Sequence, residues 1–148
     1  MNRATRRVLA IATGAAAVVG AVPPGSAAAA DIQVSYIATI RVDSGHGAEY
    51  FQARLTDPAD VRAATDNMQG VTNQHINGRV VYTGADVNKG YTWHLDPADV
   101  SFVDQSMELC DGAPSYVAGD PNSYTRYCPW HSKVQDLRVT YTPYRPRG

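Results

Sequence analysis

"DPADVRAATDNMQG", residues 57–70, is the stretch that predicts the clearest helix of the chain and, with its flanks, the class of fold. Asp57 is a residue type that accepts a hydrogen bond from a free amide at a helix N-terminus. Pro58 suits the first helical position, because the N–H that proline lacks has no helical partner there. Gly70 is the residue typical of a left-handed C-terminal cap. The pattern predicts a helix over about residues 58–69.

The segments on both sides of this helix alternate apolar and polar residues, which is typical of β-strands. Before it, "DIQVSYIATIRVDS" and "EYFQARLT" flank two glycines and predict a β-hairpin. After it, "HINGRVVYTG", "GYTWHL" and "HSKVQDLRVTYTPY" predict further strands, and Pro114 opens a second short helix near residues 114–118. We therefore predict an α+β fold: an antiparallel sheet of about five strands packed by one clear helix.

The letters "DPADV" recur at residues 96–100, 39 residues further along the chain. Here Val100 and Phe102 lie two apart, which favours a turn leading into an extended segment. A helical alternative would place four residues on one face: Val100, Val103, Met107 and Cys110. We favour the extended form, so the same five letters mark two different elements, and neither a duplicated unit nor twin ligand sites.

The first thirty residues have the order of a secretory signal: a basic start, an apolar run and small residues before a cleavage point. The apolar run is shorter than the ~20 residues that cross a membrane, so we expect a secreted protein with no membrane span. We expect residues 31–142 to form one globular, monomeric domain and residues 143–148 to be a frayed tail.

The charge of the chain argues against nucleic acid as a partner. Three of the 13 basic residues and none of the 14 acidic residues lie in the predicted signal, so the remainder carries a net charge of −4. A negative surface repels phosphate backbones.

Cys110 and Cys128 are the only cysteines. In an exported chain an even pair indicates a disulfide, with two free thiols or a metal pair as the alternatives.

Acidic residues concentrate in one part of the chain, where carboxylates could ligate Ca²⁺. The candidate cation ligands are Asp96, Glu108 and Asp111. Their spacing does not match a helix–loop–helix calcium site, so we expect no cofactor and keep Ca²⁺ as the alternative. His94, between Trp93 and Asp96, is the candidate for acid–base chemistry beside these acids, and packing is the plainer interpretation.

Aromatic residues form the other candidate set, because tyrosine and tryptophan give a large contact area at small entropic cost. "SYTRYCPW" groups three of them around a cysteine, as a rigid binding loop would. The candidate binding residues are Trp93, His94, Tyr124, Tyr127 and Trp130. Several of these aromatic residues must also supply the core.

"YTWHLDPADVSFVDQSMELCDGAPSYV" and "YCPWHSKV" resemble the N-terminal domain of the cyclic-AMP-inducible, calmodulin-associated proteins of slime-mould type, also found in secreted bacterial chains. The likeness covers about residues 48–137. The resemblance implies no established catalytic activity. Calmodulin is not carried over as a partner, because it binds basic amphipathic helices and the predicted helix is acidic.

Two hypotheses follow. We favour a secreted, non-catalytic domain that binds an extracellular protein or surface ligand, a protease inhibitor being one form. The alternative is a small cation-dependent protein or hydrolase that uses His94 with Asp96, Glu108 or Asp111.

Overall fold

The computed structural model describes residues 32–143. The predicted signal peptide and most of the predicted tail lie outside these residues, so both stay predictions. Within residues 32–143, neither helix combines the length and the apolar character needed to cross a bilayer.

A three-stranded antiparallel sheet is built on the predicted hairpin. Strand β1 (Ile32–Asp43) lies in the centre, between β2 (Ala48–Leu55) and the long C-terminal strand β7 (Ser132–Pro143). Gly45 and Gly47 have φ values of 78° and 131° in the connecting turn, a backbone region that other residues rarely enter. The hairpin and the last strand are confirmed.

A second antiparallel sheet is arranged around one strand, β3 (His75–Val81). Three short strands pair with successive parts of it: β4 (His94–Leu95), β5 (Ser101–Val103) and β6 (Arg126–Tyr127). The predicted α+β class and its antiparallel pairing are confirmed, with the strands divided between two sheets instead of one. Strands of two or three residues are too short to show the alternation from which sheets are predicted.

The two "DPADV" segments form different structures, as predicted. Helix α1 (Pro58–Gln69) begins where the Ala59 N–H donates to Asp57 Oδ1 over 2.7 Å and ends at Gly70, whose φ is 76°. At the second copy, the Asp99 N–H donates to the Asp96 carbonyl over 2.9 Å, which closes a turn that leads into β5. The helical alternative for this region is not adopted.

The second short helix, α2 (Pro114–Gly119), and the Cys110–Cys128 disulfide are also confirmed. The Cα atoms of the two cysteines are 5.1 Å apart, and the Cys128 N–H donates to the Cys110 carbonyl over 2.8 Å. A one-turn 3-10 helix (Glu108–Cys110) leads into the bridge. The disulfide therefore joins the segment after β5 to the segment after β6.

Two buried asparagines connect the edges of the first sheet to the rest of the domain. Asn67 accepts from the Val134 N–H of β7 and donates to the Gln74 carbonyl. Asn88 accepts from the Gln52 N–H of β2 and donates to the Trp93 carbonyl. Buried backbone groups at an edge need such partners, so each amide fixes a loop against the three-stranded sheet.

Candidate functional site

The aromatic residues predicted to bind a ligand fall into two groups. Trp93 and Tyr127 are fully buried, with ring centroids 5.4 Å apart, and Phe51 packs against both. Tyr124 is partly buried and packs edge-on against Tyr127. Burial also raises the pKa of Tyr127, whose hydroxyl donates to the Gly112 carbonyl over 2.8 Å. These three predicted binding residues are thus part of the core or its margin, and only Trp130 among the predicted aromatic residues presents a large exposed surface.

His94 and Asp96 lie on the far part of β3's sheet, in local contacts. His94 Nδ1 is 2.6 Å from the Gly84 carbonyl oxygen. Asp96 accepts from the Ala98 N–H and pairs with Arg79, and these two contacts lower the pKa of its carboxyl group. Both side chains therefore have local hydrogen-bond partners that fix a strand end and a turn.

The candidate cation ligands do not form a cluster in the described part of the chain. Glu108 is exposed on the 3-10 turn, and Asp111 Oδ1 accepts from the Trp130 backbone N–H over 2.9 Å. No three His, Cys, Asp or Glu side chains in residues 32–143 lie close enough together to hold a metal ion.

A different set of side chains converges at Trp130. The indole Nε1–H donates to Ser106 Oγ over 2.9 Å, and the same oxygen lies 2.6 Å from His75 Nε2. Because an indole N–H can only donate, Ser106 accepts from Trp130 and has its own hydroxyl hydrogen available for the His75 nitrogen. This chain of two hydrogen bonds fixes the orientation of the indole ring.

The fold brings these three residues together from distant parts of the sequence. His75 begins β3 and lies opposite Val103 of β5, so the chain reaches Ser106 three residues later. Trp130 follows Cys128 by two residues, and the disulfide holds that segment beside the segment that contains Ser106. The strand pairing and the bridge thus position the two ends of the chain of hydrogen bonds.

A recess of about 380 Å³ opens beside this chain. Its lining is mostly polar and consists of Asn73, His75, Asp104, Gln105, Ser106 and Trp130. A second recess of about 250 Å³ shares Trp130 and Asn73 with the first and extends to Lys133. Trp130 therefore borders two adjoining polar recesses while 41% of its surface is exposed. We call the two together the Trp130 recess.

His75 is 5% exposed. Burial lowers the pKa of its imidazole, and the negative charges of Asp111 and Asp104 oppose that shift. A neutral ring at neutral pH matches the hydrogen bond that Ser106 can donate to it.

Trp130 is a residue that the sequence predicts for this site, whereas His75 and Ser106 are not. The intervals of 31 and 24 residues that separate Ser106 from its two partners belong to no motif. The disulfide is the available signal: Ser106 precedes Cys110 by four residues and Trp130 follows Cys128 by two, so a bridge must bring both to one locality.

Comparison with known families identifies the class of domain that this fold and site belong to. The chain matches the BP-74 N-terminal domain over residues 36–140. The match covers most of the sequence, so the chain belongs to this family, which confirms the resemblance seen in its motifs. Searches of curated proteins and of solved structures give no match.

Proposed function

We propose that the domain is secreted and acts as a non-catalytic binding module, with the Trp130 recess as its ligand site. The observation that carries the proposal is the fixed orientation of Trp130: its N–H is bonded to Ser106 while much of the ring is exposed. A ring held in one rotamer loses little entropy on binding, which favours affinity.

The lining of the recess favours an uncharged, polyhydroxylated ligand such as a saccharide. Asn73 and Gln105 carry amides that both donate and accept, and Asp104 carries acceptors only. Hydroxyl groups can satisfy both kinds of partner. The apolar face of a sugar ring can pack on the indole, as apolar groups do on aromatic residues. A predominantly polar recess with one aromatic wall is less suited to an apolar ligand.

Catalysis has weaker support at this site. His75 and Ser106 have the spacing of a base and a nucleophile. Within residues 32–143, however, no carboxylate hydrogen-bonds to His75, and its lowered pKa makes it a poor proton acceptor. The Trp130 N–H also occupies a lone pair of the Ser106 oxygen that would attack.

The test is a screen of the secreted chain against an array of neutral oligosaccharides, followed by fluorescence titration with the sugars that bind. Trp130→Ala should abolish binding, and Ser106→Ala should weaken it about tenfold, about 1.4 kcal/mol, by releasing the indole. Leu109→Ala is the matched control, because it removes another exposed apolar side chain and leaves the recess unchanged. Binding that is equal in Trp130→Ala and the native chain would contradict the proposal, as would an array without a ligand.

A protease inhibitor is the second candidate, supported by a different surface. Leu109 is 86% exposed and Met107 is also exposed, on a turn that the disulfide anchors at Cys110. An inhibitor that docks through this turn should lose its effect on a panel of extracellular proteases when Leu109 is changed to Asp. An absence of inhibition by the native chain would exclude this candidate without affecting the first.

A further inference from the structure

The outer edge of the three-stranded sheet is only partly closed. At β2 the loop around Asn88 covers the edge, because the Gln52 N–H is bonded to Asn88. At β7 the corresponding cover is Asn67, which bonds the Val134 N–H near the start of the strand. Beyond it, residues 135–143 pair with β1 on one side and have no strand partner on the other among residues 32–143.

This open segment lacks the charges that usually protect an edge strand. Proteins prevent edge-to-edge pairing with short edges, prolines or unpaired charges, lysine above all. Here the two charged residues neutralise each other, since Arg138 Nε is 3.1 Å from Asp136 Oδ2. The apolar side chains are instead well exposed: Val139 is 46% and Tyr141 66% accessible. The strand is long, neutral and partly apolar, which makes it a template for another strand.

The order of the charges favours a second copy of this chain as that strand. In an antiparallel pair, residues whose numbers have a constant sum lie opposite each other. When Leu137 is placed opposite Leu137 of the partner subunit, Asp136 faces Arg138 of the partner subunit, and Arg138 faces Asp136 of the partner subunit. Opposite charges at facing positions stabilise a strand pair, and the two-fold axis forms both pairs at once.

We propose that the protein forms a two-fold symmetric dimer in which the β7 strands pair antiparallel about Leu137. The two three-stranded sheets then join into one six-stranded sheet in the order β2, β1, β7, β7, β1, β2. A two-fold interface uses the same surface of both subunits, which a self-complementary strand satisfies. This replaces the monomer expected from the sequence, and it is independent of the Trp130 recess.

The charge order gives a direct test by sedimentation over a range of protein concentrations. The native chain should show a concentration-dependent dimer. Asp136→Arg places arginines opposite each other, and Arg138→Asp places aspartates opposite each other, so each variant alone should dissociate at least about tenfold more readily. The double variant Asp136→Arg/Arg138→Asp exchanges the charges and should restore the native dimer.

Mixing the two single variants separates the proposal from other causes of dissociation. In the mixture, two arginine side chains on the Asp136→Arg subunit would face two aspartates on the Arg138→Asp subunit. A heterodimer should therefore form although neither variant pairs with itself. Lys89→Asp matches the charge change of Arg138→Asp at an exposed site away from β7 and should leave dimerisation unchanged. Circular dichroism of each variant confirms that it is folded. A native chain that stays monomeric up to millimolar concentration, or a mixture that does not associate, would overturn the proposal.

Discussion

The two tryptophans of this domain have opposite relations to water and to hydrogen bonding. Trp93 is fully buried, yet its indole N–H is the one buried side-chain donor without a partner in residues 32–143. Trp130 is substantially exposed, yet its N–H is bonded to Ser106. A surface donor could use water instead, so the bond to Ser106 is not required for solvation.

The contrast separates a packing role from a positioning role. Trp93 contributes volume at the junction of the two sheets, where contacts with Phe51 and Tyr127 outweigh an unpaired donor. Burial of a large aromatic side chain is worth several kcal/mol, more than the roughly 1–3 kcal/mol that an unsatisfied polar group costs. Trp130 contributes little to the core and is held in one orientation, as expected of a residue that contacts a ligand.

Alanine substitution of each tryptophan gives the largest expected difference. Trp93→Ala should lower the free energy of unfolding by about 3–5 kcal/mol, because it leaves a large cavity in a rigid core. Trp130→Ala should cost only about 1 kcal/mol, through the hydrogen bond to Ser106. Urea denaturation followed by circular dichroism measures both. Equal losses would show that the two residues do not differ in role.

The sequence could place both tryptophans near the family motif, and it could not tell them apart. Both follow or precede strand-like segments, and the alternation around Trp93 is compatible with either face of a sheet. Only the pairing of β3 with three short strands determines that Trp93 points inward. The helix α1 was predictable because its caps and its proline are local signals, whereas side-chain burial depends on partners far away in the chain.

Removal of the disulfide should affect the two tryptophans unequally. Cys110→Ser/Cys128→Ser should lower stability by roughly 3 kcal/mol in the chain-entropy model, since the bridged cysteines are 18 residues apart. It should also release Trp130, because the bridge holds its segment beside Ser106. Near-ultraviolet circular dichroism and acrylamide quenching, measured in the folded state, should report a more accessible Trp130 and an unchanged Trp93. Chains that carry Trp130→Ala with and without the bridge isolate the signal of Trp93, and a change there would contradict the expectation.

The convergence of His75 and Ser106 on Trp130 shows where sequence reasoning stops and why. The sequence offers Ser106 no base partner, because it belongs to no serine motif and no histidine is nearby along the chain. The contact depends on the register of β3 with β5, in which His75 lies opposite Val103. A shift of that register by one residue would turn His75 to the other face of the sheet. Registers between distant short strands carry no local signature.

Protonation of His75 should produce the smallest effect, and it should act on Trp130 alone. The pKa of His75 is lowered by burial, so the unfolded chain binds a proton more readily than the folded chain once the pH falls toward the ordinary value of 6.5. The stability contributed by the neutral ring is therefore present above pH 6.5 and is lost as the pH falls through the folded pKa. Protonation also turns Nε2 into a donor, which disturbs the bond with Ser106 and hence the indole of Trp130. We expect the melting temperature and the Trp130 fluorescence to change together between about pH 7 and about pH 5. The response should persist in His46→Gln and disappear in His75→Gln, and its persistence in His75→Gln would assign it to another group.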